Sequence, residues 1–130
     1  MKNILVVDDN KTNLMSAKAV LSEKYKITAV TQAAQGLRYL QNNICDLILL
    51  DVEMPEMDGF EMIQKIKEMQ LEKEPPVVFL TGNTDAVTVT RCIESGGVDV
   101  IAKPFVKALI LARLEHILEW MDLKKREWQI

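Results

Sequence analysis

The sequence predicts an α/β fold: a doubly wound, five-stranded parallel sheet made of consecutive strand–helix pairs, (βα)5. Three observations carry this prediction. Short apolar runs rich in Val, Ile and Leu recur along the chain without polar alternation, as strands covered on both faces do. Between them lie segments whose apolar residues return with a period near 3.6. Four of the five runs end in, or just beyond, a residue with usable chemistry, as expected where a functional crevice lies at the carboxyl ends of the strands.

The elements follow in order. Residues 4–7 (Ile-Leu-Val-Val) form the first strand, and residues 11–23 carry Leu14, Ala17, Val20 and Leu21 on one helical stripe. Residues 27–30 form the second strand, and residues 33–42, with Leu37 and Leu40, the second helix. Residues 47–50 (Leu-Ile-Leu-Leu) are the third strand. Phe60, Ile63, Ile66 and Met69 mark a third helix over residues 60–69, which Glu74-Pro75-Pro76 separates from a fourth strand at 77–80. Residues 86–95 form a helix closed by Gly96-Gly97, a left-handed C-terminal stop. Residues 98–102 are the fifth strand, and a long last helix runs from 106 to about 127.

A length of 130 residues fits one domain with a substantial core. Hydrophobic content of 48% with 27% charged residues is ordinary for a soluble globular protein, and a net charge of −3 gives no expectation of nucleic-acid binding. No apolar stretch approaches the length of a membrane span, and Met1-Lys2-Asn3 leads straight into a strand, leaving no room for a signal peptide. Cys45 and Cys92 form no CxxC pair; they read as small buried or half-buried hydrophobes in a reducing cytoplasm.

The chemistry gathers at strand ends. Asp8-Asp9 follow the first run and Asp51 the third. On neighbouring parallel strands these carboxylates converge on one volume, which suits a hard divalent cation and makes one carboxylate a candidate nucleophile. Pro55 and Gly59 constrain the loop after Asp51, so that a backbone carbonyl can face the cation. Thr81, followed by Gly82, offers a hydroxyl and close backbone approach to a phosphoryl group. Lys103 offers a compact positive charge, and its bond to Pro104 is a candidate cis peptide. Together these groups provide the positioning and charge neutralisation that phosphoryl transfer needs.

Asp8-Asp9, Asp51 with Met54-Pro55 and Met57-Asp58-Gly59, Thr81-Gly82 and Lys103-Pro104-Phe105 resemble the receiver domain of two-component response regulators over roughly residues 3–120. The resemblance implies a flavodoxin-like, CheY-like sheet of order 2-1-3-4-5. It implies Asp51 as phosphoacceptor from a histidine kinase or phosphotransfer protein. Asp8, Asp9, Asp51 and the carbonyl of Glu53 would ligate Mg2+ or Mn2+, and Thr81, Gly82 and Lys103 would grip the phosphoryl group. The signal would leave by the face of the fourth helix, fifth strand and fifth helix, toward an output domain or partner. Phosphotransfer and dephosphorylation would be self-catalysed, without enzymatic turnover. Glu53 and Asn83 stand at positions that tune hydrolysis in the family.

One departure is Val100, where the family usually carries Tyr or Phe; a valine there is expected to pack in the sheet. Two rival readings fit less well. A haloacid-dehalogenase-like phosphatase would place an Asp-x-Asp pair after one strand, whereas the first strand here gives Asp8-Asp9-Asn10. A flavodoxin-like cofactor binder would want a Ser/Thr/Gly-rich loop where Asp8-Asp9 stand. His116 reads as a surface residue, Met54 and Met57 as loop packing, and Lys124-Lys125-Arg126 as a solvated helix end. Leu111, Leu114, Leu118 and Met121 follow 3-4-3 spacing that Trp128 extends, and Trp120 lies nearby. Residues 121–130 are accordingly expected to form a helical linker, beyond a receiver over 1–120, to an output domain or to a second copy in a homodimer.

Overall fold

The computed structural model describes the backbone of residues 1–128 and the side chains of residues 1–125. Strands and helices alternate as β1 (Asn3–Val7), α1 (Lys11–Leu21), β2 (Lys26–Val30), α2 (Ala33–Asn42), β3 (Leu47–Asp51), α3 (Gly59–Glu68), β4 (Val77–Thr81), α4 (Ala86–Glu94), β5 (Asp99–Ala102) and α5 (Lys107–Trp128). The five strands form one sheet of order β2-β1-β3-β4-β5, every pairing parallel. The predicted architecture and strand order are those observed.

Strand periodicity divides the apolar residues between two cores. Ile4, Val6, Leu47, Leu49, Val78, Leu80 and Ile101 point to one face, where Leu14, Ala17 and Leu21 of α1 and Ile110, Leu114 and Leu118 of α5 cover them. Leu5, Val7, Ile48, Leu50, Val77, Phe79 and Val100 point to the other, against Ala33 and Leu40 of α2, Met62, Ile63 and Ile66 of α3, and Cys92 of α4. Each fully buried aliphatic side chain contributes roughly 1.5–3 kcal/mol, so the layers hold the strand ends in fixed register. Cys45 and Cys92 are free and buried, and burial pushes both thiols up, Cys45 to about 12. They are inert packing groups at neutral pH.

Caps set the helix boundaries. Asn10, two residues after Asp8, accepts from the N–H groups of Thr12 and Asn13 and so starts α1 at Lys11. Asp58 accepts from Glu61 and starts α3 at Gly59, one residue before the expected Phe60. Asp85 accepts from Thr88 and starts α4. α4 ends in a Schellman motif: Gly96 takes φ of 106°, its N–H donates to the Ile93 carbonyl, and the Gly97 N–H donates to the Cys92 carbonyl. α1 ends at Leu21, short of the expected 23, with Ser22 as its C-cap.

On the C-terminal stripe, Leu114 and Leu118 are buried in the core and Leu111 and Met121 pack against it, so these four residues serve the domain itself. Trp120 and Leu123 remain exposed, at 47% and 55%. The side chains of Arg126 and Trp128, and residues 129 and 130 of the expected linker, lie outside the described residues. Among the described residues, no helix is long and apolar enough to cross a membrane.

Candidate functional site

The register brings the chemistry together. Val7 pairs with Leu50, so the next residue on each strand, Asp8 and Asp51, comes alongside its counterpart. Asp51 pairs with Leu80 and Thr81 with Ala102, which brings Thr81 and Lys103 to the same edge. β3 and β4 each run one residue further than their apolar runs suggest, because this ladder continues through Asp51 and Thr81. Carboxylate oxygens of Asp8, Asp9 and Asp51 all lie within 4.8 Å of one another. Asp8 and Asp51 are buried and Asp9 is exposed.

Lys103, one residue beyond β5, places its ammonium 3.1 Å from Asp8 Oδ2 and 3.0 Å from Asp51 Oδ1. The Lys103-Pro104 peptide is cis, as the sequence suggested. Burial pushes the Asp51 carboxyl up, to about 7; the Lys103 ammonium pulls against this while the neighbouring Asp8 carboxylate adds to it. Burial alone would lower Lys103, but Asp51 and Asp8 outweigh it and hold the ammonium above the ordinary lysine range. Two buried carboxylates facing one ammonium leave a negative balance, which Asp9 at the rim increases.

The loop after β3 closes tightly on Asp51. The Glu53 N–H donates to Asp51 Oδ1 at 3.3 Å, and the Gly59 N–H donates to the Val52 carbonyl at 2.9 Å. A Cβ on Gly59 would collide with the Asp51 carbonyl oxygen and stand 3.1 Å from Val52 Cα, so glycine is required for this close approach. Glu56 sits in the left-handed region at φ of 68°, an uncommon conformation for a residue with a Cβ. Met54 and Met57 are half-buried and pack against the core, as expected. The Glu53 side chain is exposed.

Thr81 is buried and its hydroxyl is engaged with the following loop. It accepts from the Asn83 N–H at 3.0 Å and donates to the Asn83 carbonyl at 3.2 Å. A Cβ on Gly82 would meet nothing within 4 Å, so no neighbouring atom of the chain demands glycine there. Val100 is buried against the sheet beside Phe79, its register partner. His116 is exposed on α5.

One contact lay outside the sequence reading. Arg91 of α4 stacks over the ring of Phe60, with its Cζ 3.9 Å from the centroid. Arg91 and Phe60 line, with Asp9, Glu53 and Met54, a groove of about 650 Å3 that runs from the carboxylates toward α4. Neither residue belongs to a strand-end motif, and a stacking pair between two helices leaves no periodic trace in a sequence.

The chain matches the family model described as response regulator receiver domain over residues 4–115. It is 35% identical over 116 residues to a probable cyclic di-GMP phosphodiesterase of Vibrio cholerae, covering 89% of this chain and 26% of that protein. It is 31% identical over 123 residues to the response regulator SaeR of Staphylococcus epidermidis, covering 94% of this chain and 52% of that protein. The solved receiver domain of DrrB, activated with BeF3, superposes with a TM-score of 0.81 at 30% identity, over 92% of this chain and 98% of that one. The chain thus spans from about a quarter to about half the length of these two curated relatives.

Proposed function

The chain belongs to the response regulator receiver domain family, and from that premise we propose that Asp51 is its phosphoacceptor and that Asp8 and Asp9 hold the divalent cation beside it. The observation that carries this reading is the placement of the Asp51 carboxylate. It is buried at a strand end, 3.0 Å from the Lys103 ammonium and within 4.8 Å of Asp8 and Asp9.

The donor set fits Mg2+ or Mn2+. Its oxygens are hard carboxylate donors with a surplus of negative charge, and the family's remaining ligand, the Glu53 carbonyl, belongs to the loop that the Glu53 N–H ties to Asp51. When bound, the cation neutralises charge on carboxylate and phosphoryl oxygens. The chain's own groups do the rest. An Asp51 carboxylate oxygen attacks the phosphorus of a phosphohistidine. The new O–P bond forms as the N–P bond breaks, and the imidazole leaves with the electron pair. Lys103 favours the anionic form of Asp51 against the effect of burial and faces the developing negative charge. The Thr81 hydroxyl turns from Asn83 to a phosphoryl oxygen.

The partners follow from the same reading. A histidine kinase or phosphotransfer protein supplies the phosphoryl group. The face of α4, β5 and α5 passes the signal on, supported by the exposed Ile93, Val106 and Leu109 and by a cavity of about 360 Å3 among Val89, Ile93, Val100, Leu109 and Arg113. Trp120 and Leu123 support a further contact at the end of α5, with an output domain or a second copy. The cytoplasmic setting belongs to this reading and rests on the family. Exposure to acetyl phosphate with Mg2+, read by intact mass, tests it. Wild type gains one phosphoryl group and Asp51→Asn gains none; equal labelling of both overturns the assignment.

A further inference from the structure

The segment after β4 carries an unbroken set of hydrogen bonds from the candidate switch hydroxyl to α4. Thr81 Oγ1 is bonded both ways to Asn83, Asn83 Oδ1 accepts from the Asp85 N–H at 3.1 Å, and Asp85 Oδ1 accepts from the Thr88 N–H at 2.8 Å. A Thr81 hydroxyl that donates to a phosphoryl oxygen must release the Asn83 carbonyl. Phosphorylation therefore breaks the donated half of the first link, the Thr81 hydroxyl to Asn83 carbonyl bond.

α4 itself is weakly anchored. Cys92 is its buried residue, while Val87 is 79% and Ile93 49% exposed. Its C-terminal end rests on Phe79: a Cβ on Gly97 would stand 2.6 Å from that ring. Its middle is held by Arg91, stacked on Phe60 of α3, and Phe60 in turn packs on Phe79 with ring centroids 5.5 Å apart. Phe79 lies two residues before Thr81 on β4 and pairs in register with Val100. The aromatic groups packed near α4 thus stand on α3 and β4, and the β5 residue in register with Phe79 is Val100.

We infer that the Arg91–Phe60 contact is a latch that sets the resting position of α4, so that the phosphoryl group, by drawing Thr81 away from Asn83, acts against it. Arg91 and Phe60 are positioning residues, since neither touches the reacting atoms. The inference rests on the reading of Asp51 as phosphoacceptor. Linkage gives it a sign: a contact present only in the resting state opposes ligand binding at Asp51, and weakening that contact tightens binding. A merely structural role for Arg91 would lower stability without tightening anything.

The test is a calorimetric titration of the full chain with beryllofluoride and Mg2+, for wild type, Arg91→Gln, Arg91→Lys and Phe60→Leu. Arg91→Gln is the decisive variant because Arg91 is exposed and its loss leaves the core intact. A cation–π contact at an exposed site predicts beryllofluoride binding about two- to fivefold tighter in Arg91→Gln and Phe60→Leu. Arg91→Lys falls between them and wild type. Amide exchange in α4 of the unliganded Arg91→Gln variant quickens while that in α1 does not change. Binding by wild type with unchanged or weaker binding by Arg91→Gln overturns the latch alone. Failure of wild type to bind overturns the Asp51 reading and the latch with it.

Discussion

The Lys103 ammonium and the Asp51 carboxylate stand 3.0 Å apart, and the same ammonium reaches Asp8 at 3.1 Å. Removing it leaves two buried carboxylates facing one another. Lys103→Met is expected to cost about 2–4 kcal/mol at pH 8 without added cation, since breaking a buried pair strands its partner. At pH 5 the cost is smaller, because the Asp51 carboxyl, already pushed up to about 7, takes a proton there. Urea unfolding at both pH values measures this. An equal loss at each would show that Lys103 acts by packing rather than charge.

Asp51 itself is expected to destabilise the cation-free domain. Its folded pKa is raised from 3.8 to about 7, so the folded state binds this proton more tightly than the unfolded chain does. Below the unfolded value both states are neutral at this group and it contributes nothing. As pH rises through the folded value the penalty becomes complete. Asp51→Asn should therefore be more stable than wild type by about 1–3 kcal/mol at pH 8, with the advantage vanishing near pH 4. Mg2+ offsets this advantage by stabilising wild type, by about 2.7 kcal/mol at a hundredfold excess over Kd. A melting temperature of wild type at pH 8 that Mg2+ leaves unmoved would contradict this.

Gly59→Ala tests the loop that shapes the site. The new Cβ meets main-chain atoms of Asp51 and Val52, neither of which can rotate away. The substitution should cost about 2–4 kcal/mol, and it should slow labelling by acetyl phosphate because Asp51 and the Glu53 segment shift together. Gly82→Ala, where a Cβ meets nothing, serves as the control for stability and should change it by less than about 1 kcal/mol. Similar losses in the two variants would remove the special place given to Gly59.

Strand ends were legible in the sequence because each buried run stops at a polar residue: Val7 before Asp8, Leu50 before Asp51, Leu80 before Thr81. A carboxylate directly after four apolar residues has few readings other than a site. What covers the α5 stripe was not legible, for the same physical reason that made the stripe visible. Spacing such as Leu111, Leu114, Leu118 shows that one helix face is apolar, and says nothing of whether a sheet or another chain covers it. Arg91 over Phe60 was illegible because a cation on an aromatic ring depends on two helices meeting at one angle. The Thr81–Asn83–Asp85 bonds are local, and Asn and Asp at such spacing after a strand were a signal that could have been read as a cap and turn.

Ending the chain after Met121 separates the domain from its extension. Leu114 and Leu118 remain in the core and Leu111 and Met121 against it, while the ion pair of Lys2 with Asp122, at 2.7 Å, is lost. Both partners of that pair are more than a third exposed, and such pairs contribute about 0–1 kcal/mol. The shortened chain should therefore unfold cooperatively within a few degrees of the full one. Leu114→Ala in the full chain, by contrast, should lose about 2–5 kcal/mol by opening a cavity under α5. Sedimentation of both lengths, with and without beryllofluoride, then locates any self-association. If Leu123 and the rest of the segment beyond Met121 mediate it, the full chain associates and the shortened one does not. Association that survives the truncation places the contact on the domain itself, and a shortened chain that fails to fold refutes the boundary at about residue 120.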